Sequence, residues 1–346
     1  MTIRLPTART LSLNAIALAG ISALIAEEAL SQGIGPEVFG GLNVACALDR
    51  KPLETAIVAQ SSLAGADAEW TEGGWIAVDD NTGDILWLDE AIALTSRRAN
   101  VRSGFGTSPL IVGGRTTGFV DQEGLKLING HGPHPIGEPD HAVADEQAHV
   151  FYTSGGSVFA LDLSSRQTRR ILTPEDFGMS IDEVRGLPPE GLLRLGDDGA
   201  LYIAWRAQSS IWKVVDGAQP RLLVQRCVPE QLRRTHIEAP RIDLMDLGYS
   251  NEVKISISSV SDFVVLNSGE LLVLGELRVG PEAHRSIELY GADGALQQAW
   301  KLAVPMAVGR FDRSSPRRIL LWRRWTDGES DRRLVLMELE AEGYPR

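Results

Sequence analysis

Short apolar runs alternate with glycine, aspartate and asparagine turns from about residue 72 onward, which is the pattern of β-strands. The clearest unit spans 191–224 and holds four short strands, with a tight turn at Gly199 between the first two. The same arrangement recurs at 263–300. Weaker copies lie at 75–87, 110–128, 142–172 and 307–339. The chain therefore reads as a series of antiparallel β units.

The spacing of these units is that of a propeller blade, about 40–50 residues. Turns between first and second strands are predicted near Gly83, Gly113, Gly155, Gly199, Gly269 and Pro316. The one long separation becomes ordinary if residues 229–255 form an insertion. The pattern predicts an all-β fold, a six-bladed β-propeller over residues 32–346, with five or seven blades as alternatives because the second and sixth units are weak. The run at 53–59 is predicted to supply the outer strand of the last blade and so to close the ring.

The blades at 191–224 and 263–300 share a finer pattern: an apolar strand, an Asp/Asn-x-Gly turn, a second apolar strand and a polar gap. In the first of them an Ile-Trp-Lys-Val strand follows. This resembles the six-bladed propellers of the NHL-repeat and gluconolactonase/strictosidine-synthase type. In gluconolactonase-like enzymes the resemblance implies a metal held by acids and amides at the channel mouth. The present chain lacks a matching acid motif in its first blade.

The amino terminus differs from the rest of the chain. Arg4 and Arg9 precede an apolar run at 11–26, and the small residues Ala29 and Ser31 stand before Gln32. This order predicts a secretory signal peptide over residues 1–31 and a periplasmic or secreted protein. An amphipathic or buried helix and a retained membrane anchor are the alternatives. In an oxidising compartment Cys46 and Cys227 either pair or remain buried thiols.

Charge and composition limit the function classes. The chain has 346 residues, with 34 Lys and Arg against 46 Asp and Glu, and a net charge of −12. Such acidity argues against nucleic acid as a partner, because binding it requires a cationic surface. No apolar run long enough to cross a membrane follows the amino-terminal segment, so no span is expected in the mature chain. No phosphate-binding loop, nucleophile elbow or dinucleotide-binding turn is present.

The long connections between blades are predicted to lie on one face, around the channel mouth, and this long-loop face is the predicted binding face. The connection at 129–141 is rich in histidine. We treat His131, His134, Asp140 and His141 as candidate ligand-binding residues, because imidazole and carboxylate together can ligate a metal or exchange protons. A structured surface loop is the alternative.

Carboxylates also recur just before predicted inner strands, at Glu72, Asp140, Glu190 and Asp262. Carboxylate oxygens are the ligands that hard cations prefer, so these four acids form a candidate site for a divalent cation such as Ca²⁺. Turn-forming residues at strand starts are the alternative explanation.

A third candidate is an arginine-rich segment in the last unit, where Trp322 and Trp325 bracket Arg323 and Arg324. On an acidic protein it could dock an anionic partner, or it could be a solvated outer face. Taken together, these features predict an exported binding or interaction module for a protein or small-molecule ligand. A metal-dependent hydrolase of the lactonase or strictosidine-synthase-like type is the alternative.

Overall fold

The computed structural model describes residues 51–345 with gaps. The longer gaps are 99–107, 128–138, 180–189, 227–258, 303–307 and 323–333; the shorter ones are 64, 80–81, 83, 113–114, 122–123, 146, 148, 206–208, 216–217 and 280–281. The predicted signal peptide, the predicted insertion at 229–255 and both cysteines lie outside the described residues.

The described residues form β-strands almost throughout, with a single 3₁₀ turn at Pro174–Phe177. The strands are β1 (Lys51–Pro52), β2 (Glu54–Ser61), β3 (Gly65–Thr71), β4 (Gly74–Asp79), β5 (Ile85–Leu88), β6 (Leu94–Arg98), β7 (Ser108–Val112), β8 (Arg115–Asp121), β9 (Gly124–Leu127), β10 (His141–Ala144), β11 (His149–Ser154), β12 (Ser157–Asp162), β13 (Gln167–Leu172), β14 (Gly191–Leu195), β15 (Leu201–Trp205), β16 (Ser210–Val214), β17 (Arg221–Gln225), β18 (Ser259–Val265), β19 (Leu271–Val279), β20 (Glu282–Tyr290), β21 (Leu296–Leu302), β22 (Val308–Phe311), β23 (Arg318–Trp322) and β24 (Leu334–Glu340).

These strands assemble into antiparallel sheets in the manner of propeller blades, which confirms the predicted all-β propeller fold. Five sheets have the four or more strands of a complete blade: β3–β6, β10–β13, β14–β17, the order β2-β24-β23-β22, and the order β1-β21-β20-β19-β18. The strands β7–β9 form a three-stranded sheet among the described residues. The described residues therefore form five complete blades, and not the six that the sequence predicted.

The amino-terminal strand β2 joins the last sheet, where it pairs antiparallel with β24 in the register Thr55↔Leu339. The short strand β1 pairs parallel with β21 of the neighbouring sheet. Between them Leu53 is buried in the same apolar cluster as Trp300 and Leu339. The amino-terminal segment thus ties two late sheets together.

The first sheet begins earlier than the sequence pattern indicated. Its inner strand is β3, which ends at Thr71, and the Gly73–Gly74 turn leads into β4. Gly73 adopts φ +90°, a left-handed conformation that favours glycine. Gly83 therefore lies between the second and third strands of this sheet. If the first turn is placed at Gly73, the distance to the next predicted turn, at Gly113, is 40 residues, close to most of the other intervals.

The core lies between neighbouring sheets, because nearly continuous apolar runs such as β4, β14 and β15 are buried on both faces. The 3₁₀ turn contributes Phe177, whose ring packs edge-on against Trp205 at 5.1 Å. The inner strands β3, β7, β10, β14, β18 and β22 follow one another around the centre: β3 contacts both β7 and β22. Polar groups on the inner strands are thereby brought together. No helix among the described residues is long and apolar enough to cross a membrane.

Candidate functional site

Charged and polar side chains from five of the inner strands meet at the centre of the molecule. Each of Glu69, His141, Arg194, Asp262 and Arg310 is at most 4% exposed. With Arg313, from the turn after β22, they form what we call the channel cluster. It contains Glu69 on β3, His141 on β10, Arg194 on β14, Asp262 on β18, Arg310 on β22, and Arg313.

Glu69 is the main acceptor of this cluster. Its Oε1 atom accepts from Arg194 Nη2 at 3.2 Å and from Arg310 Nε at 3.1 Å. Its Oε2 atom accepts from Arg313 Nη2 at 3.1 Å. Burial by itself raises the pKa of Glu69, but the guanidiniums, Arg194 first, and the hydrogen bond with His141 lower the pKa well below the usual range. Glu69 is therefore an ionised, buried carboxylate held by three cations.

Asp262 is the second acceptor. Its Oδ1 atom accepts from Arg194 Nη2 at 2.5 Å, and its Oδ2 atom accepts from the backbone N–H of Phe311 at 2.8 Å. Arg310 in turn donates through Nη1 to the carbonyl oxygen of Ser261 at 2.8 Å. Asp262 thus links β14, β18 and β22 through charged and backbone hydrogen bonds.

His141 lies between these groups as a neutral imidazole. Its Nε2 atom lies 3.4 Å from Glu69 Oε1 and 3.2 Å from Arg194 Nη1. The backbone N–H of Leu193 donates to its Nδ1 atom at 3.4 Å. Burial lowers the pKa of His141 to about 3, against the raising effect of the hydrogen bond with Glu69. With Nδ1 accepting, the ring proton belongs on Nε2, where it faces Glu69.

Part of the cluster lies near the carboxyl ends of the inner strands, whereas His141 is the first residue of β10 and Asp262 lies in the middle of β18. Arg194 and Arg310 each stand one residue before the end of their strand, and Glu69 stands two residues before the end of β3. The short turns to the second strands lie at this end, which we call the hairpin end. The inner strands begin at the other end, after the predicted long connections between blades. Arg313 is 35% exposed while the other side chains are nearly inaccessible, so water meets the cluster at the hairpin end.

The four acids of the candidate cation site differ in exposure and in their hydrogen-bond partners. Glu72 and Glu190 are exposed, and Asp140 is half-buried, where its Oδ2 atom accepts from the N–H of Gly191 at 3.4 Å. Asp262 belongs to the channel cluster and already binds a guanidinium. Within the described part of the chain, no three His, Cys, Asp or Glu side chains are grouped as a metal would require. A cation at these acids stays a proposal that needs rearrangement of Asp262.

The structure describes two of the four residues of the histidine-rich candidate site, His141 and Asp140. His141 is buried on β10 as part of the channel cluster, so it faces the channel and not an exposed loop. Asp140 adjoins it, and its backbone N–H donates to the carbonyl of Thr153 at 2.8 Å. His131 and His134 lie outside the described residues.

Trp322, one of four residues in the predicted partner patch, is 2% exposed. Its ring packs under the Arg310 guanidinium, 5.6 Å from the ring centre. It therefore supports the channel cluster and cannot itself contact a partner at the surface. Arg323, Arg324 and Trp325 lie outside the described residues.

Sequence analysis missed Glu69 and Arg194, and assigned Arg310 only to the arginine-rich segment of the last unit. A signal was present, since Arg194 interrupts the apolar run Gly191–Leu195 and Arg310 stands directly before Phe311. A charged residue inside a short strand that is otherwise apolar calls for a buried partner. The pattern of strands alone does not say which partner, because the three residues are up to 241 positions apart in the chain.

No protein-family model and no curated protein matches the chain. Solved structures do match. A DUF4221-family protein of Bacteroides vulgatus has TM-score 0.50 and 10% identity, over 84% of this chain and 99% of its own. A luciferin-regenerating enzyme has the same score and identity over 84% and 96%. Regucalcin of Agrobacterium tumefaciens, described as a calcium-binding protein, has TM-score 0.50 and 10% identity over 85% and 98%.

The chain has the fold of these β-propellers. The neighbours include regucalcin, so the predicted resemblance to propellers of the NHL-repeat and gluconolactonase type is confirmed at the level of the fold. At 10% identity the likeness carries no activity from one protein to the other.

Proposed function

We propose that this chain is an exported β-propeller that acts as a binding or interaction module through its long-loop face. The observation that supports this is the channel cluster. Its two carboxylates are held by guanidiniums, with Arg194 donating to both Glu69 and Asp262. Both carboxylates of the cluster, including the candidate cation ligand Asp262, are thus already engaged in ion pairs. The centre can then serve as a rigid support for the loops at the opposite end.

The alternative is a hydrolase that uses a divalent cation such as Ca²⁺ at Glu72, Asp140, Glu190 and Asp262. For a cation to bind there, Asp262 would have to exchange Arg194 and the Phe311 N–H for the metal. That exchange leaves Arg194 buried without one of its two carboxylates, which is costly. The binding module therefore has the better physical support.

Thermal unfolding with Ca²⁺, with Zn²⁺ and with EDTA separates the two functions. We expect the same midpoint in all three, because a ligand raises the midpoint only if it binds the folded state. A rise in Ca²⁺ that disappears in Asp140→Asn and persists in Asp145→Asn, a hairpin-turn carboxylate, would favour the hydrolase. Hydrolysis of simple lactones by the Ca²⁺-loaded chain would contradict the binding module directly.

The binding face is tested by exchanging loop 129–138 for glycine and serine. We expect this variant to lose a partner that the exported chain retains from the periplasmic or secreted fraction, and Arg318→Gln at the hairpin end to keep it. If Arg318→Gln lost the partner and the loop variant kept it, binding would lie at the hairpin end, which would contradict this proposal.

Export and ring architecture belong to the same proposal. We expect the mature chain to begin at Gln32, which intact-mass measurement of the exported protein checks. We also propose six blades, with β7–β9 as part of the sixth, and a ring closed through β2. The pairing of β2 with β24 and the contact between β3 and β22 support that closure.

A further inference from the structure

The channel cluster carries an excess of positive charge. It contains the guanidiniums of Arg194, Arg310 and Arg313 against the two carboxylates of Glu69 and Asp262, while His141 is neutral. The whole chain, in contrast, has a net charge of −12. Among the described residues of the cluster, three guanidiniums therefore share two carboxylates.

The uncompensated cation is Arg313. Arg194 contacts both carboxylates, and Arg310 donates to Glu69 and to the carbonyls of Ser261 and Gly309. Arg313 makes one ion pair, through Nη2 to Glu69 Oε2, an oxygen of the carboxylate that Arg194 and Arg310 already share. Partial burial and the nearby Arg194 lower the pKa of the Arg313 guanidinium, although an arginine remains protonated at any working pH. The local potential is thus positive where solvent enters.

The one acid of the same turn, Asp312, forms its hydrogen bonds within the turn. The carboxyl of Asp312 is directed into its own turn, where Oδ1 accepts from the backbone N–H groups of Ser314 and Ser315 at 2.8 and 3.0 Å. Burial raises the pKa of Asp312, against the lowering effect of these hydrogen bonds and of the nearby Arg318. Asp312 therefore shapes the turn that presents Arg313.

An unused donor is a second sign of a missing acceptor. Among the described residues, the Nε–H of Arg194 is buried without a hydrogen-bond partner. Buried donors are normally paired. The cluster thus combines a partly exposed guanidinium at the hairpin end, an excess of positive charge and a buried, unsatisfied donor.

We propose that the hairpin end of the channel is a binding site for a small free oxyanion, a phosphate or carboxylate group, with Arg313 as the residue that contacts it. A guanidinium presents two parallel N–H donors that match the paired oxygens of such groups. The anion would balance the third cation of the cluster. This site is independent of the long-loop face, so the proposal goes beyond the binding function proposed above.

The test uses isothermal titration of the full exported chain with inorganic phosphate, and with acetate in parallel, at constant ionic strength. We expect saturable binding of at least one of the two anions. Arg313→Gln is expected to weaken it at least tenfold, the loss typical of a charge-assisted hydrogen bond. The two probes distinguish a phosphate site from a site that also accepts carboxylates.

Arg318→Gln is the matched control. Arg318 begins β23 after the same turn and its side chain is 33% exposed, close to the 35% of Arg313, but it faces Glu90 at 3.8 Å instead of the channel. We expect wild-type affinity in this variant. No saturable binding by either anion, or equal weakening in both variants, would overturn the proposal. Should Arg313→Gln fail to fold, Arg313→Lys replaces it, and unchanged affinity there would also overturn it.

Discussion

At the scale of single residues, Glu69 decides the stability of the centre, because it is the buried carboxylate that three guanidiniums share. Glu69→Gln keeps the shape but removes the charge, which leaves buried arginines short of a counterion. We expect a loss of about 3–5 kcal/mol in the free energy of unfolding, as for other broken buried ion pairs. Urea denaturation at neutral pH measures it.

Glu72→Gln is the control for that measurement, since Glu72 lies three positions away and is exposed. Exposed substitutions usually change stability by less than about 0.5 kcal/mol. Similar losses in the two variants would show that Glu69 has no special role in the cluster.

His141 gives the centre a dependence on pH. Its pKa is about 3 in the folded protein against 6.5 ordinarily, so between these values the unfolded chain binds a proton that the folded chain does not. Stability is therefore expected to fall as pH decreases from 6.5, by roughly 1 kcal/mol per pH unit for one proton. Glu69 adds to this below about pH 4.5, because its folded pKa is also lowered.

Urea denaturation at several pH values from 7.5 to 5 isolates the histidine, since Glu69 is ionised in both states over most of that range. In His141→Asn the slope of stability against pH is expected to flatten, whatever the absolute stability of the variant. An unchanged slope would mean that His141 is protonated equally in both states.

At the scale of strands and sheets, a second buried ion pair joins two neighbouring blades. Arg226 follows β17 and donates through Nε and Nη2 to both oxygens of Glu288 on β20, at 2.9 and 3.0 Å. The hydroxyls of Ser286 and Tyr290 donate to the same carboxylate. The guanidinium crosses β19 at Gly275, where an added Cβ would lie 2.0 Å from Nη2.

Gly275→Ala is therefore expected to destabilise the protein by about 3 kcal/mol or more, because it displaces a fully buried guanidinium from its carboxylate. Gly73→Ala is the comparison: its Cβ would meet nothing within 4 Å. Its positive φ should limit the cost to about 1 kcal/mol. Thermal unfolding of the two variants measures both losses, and a smaller loss in Gly275→Ala would contradict a stabilising role for the Arg226–Glu288 ion pair.

Strand periodicity also shows what the sequence allows one to predict. The blades at 191–224 and 263–300 were assigned correctly because each has two apolar strands around an Asp- or Asn-containing glycine turn. The predicted first blade began one strand too late, because β3 carries Glu69 and its apolar pattern is weaker than that of β4. The central charges were missed for the related reason that each has its partners on other blades, and periodicity within a strand contains no information about those contacts.

At the scale of the whole molecule, the amino-terminal strand is expected to decide whether the propeller holds together. Strand β2 covers the edge of β24, and Leu53 just before it fills the core shared with Trp300 and Leu339. Without this segment β24 becomes an open edge, which favours association with other chains, and a buried leucine is lost. The strand contributes although it comes from the opposite end of the sequence.

Two truncations test this. A chain that lacks residues 1–31 should unfold in one cooperative transition as a monomer, because both β1 and β2 remain. A chain that lacks residues 1–61 should aggregate or unfold over a broad, low-temperature range, as judged by size-exclusion chromatography and calorimetry. A synthetic peptide of residues 51–61, added to the chain that lacks residues 1–61, should restore part of the cooperativity if edge pairing is the cause. Equal midpoints in the two truncated chains would show instead that the last sheet is stable without β2 and that the ring does not depend on it for closure.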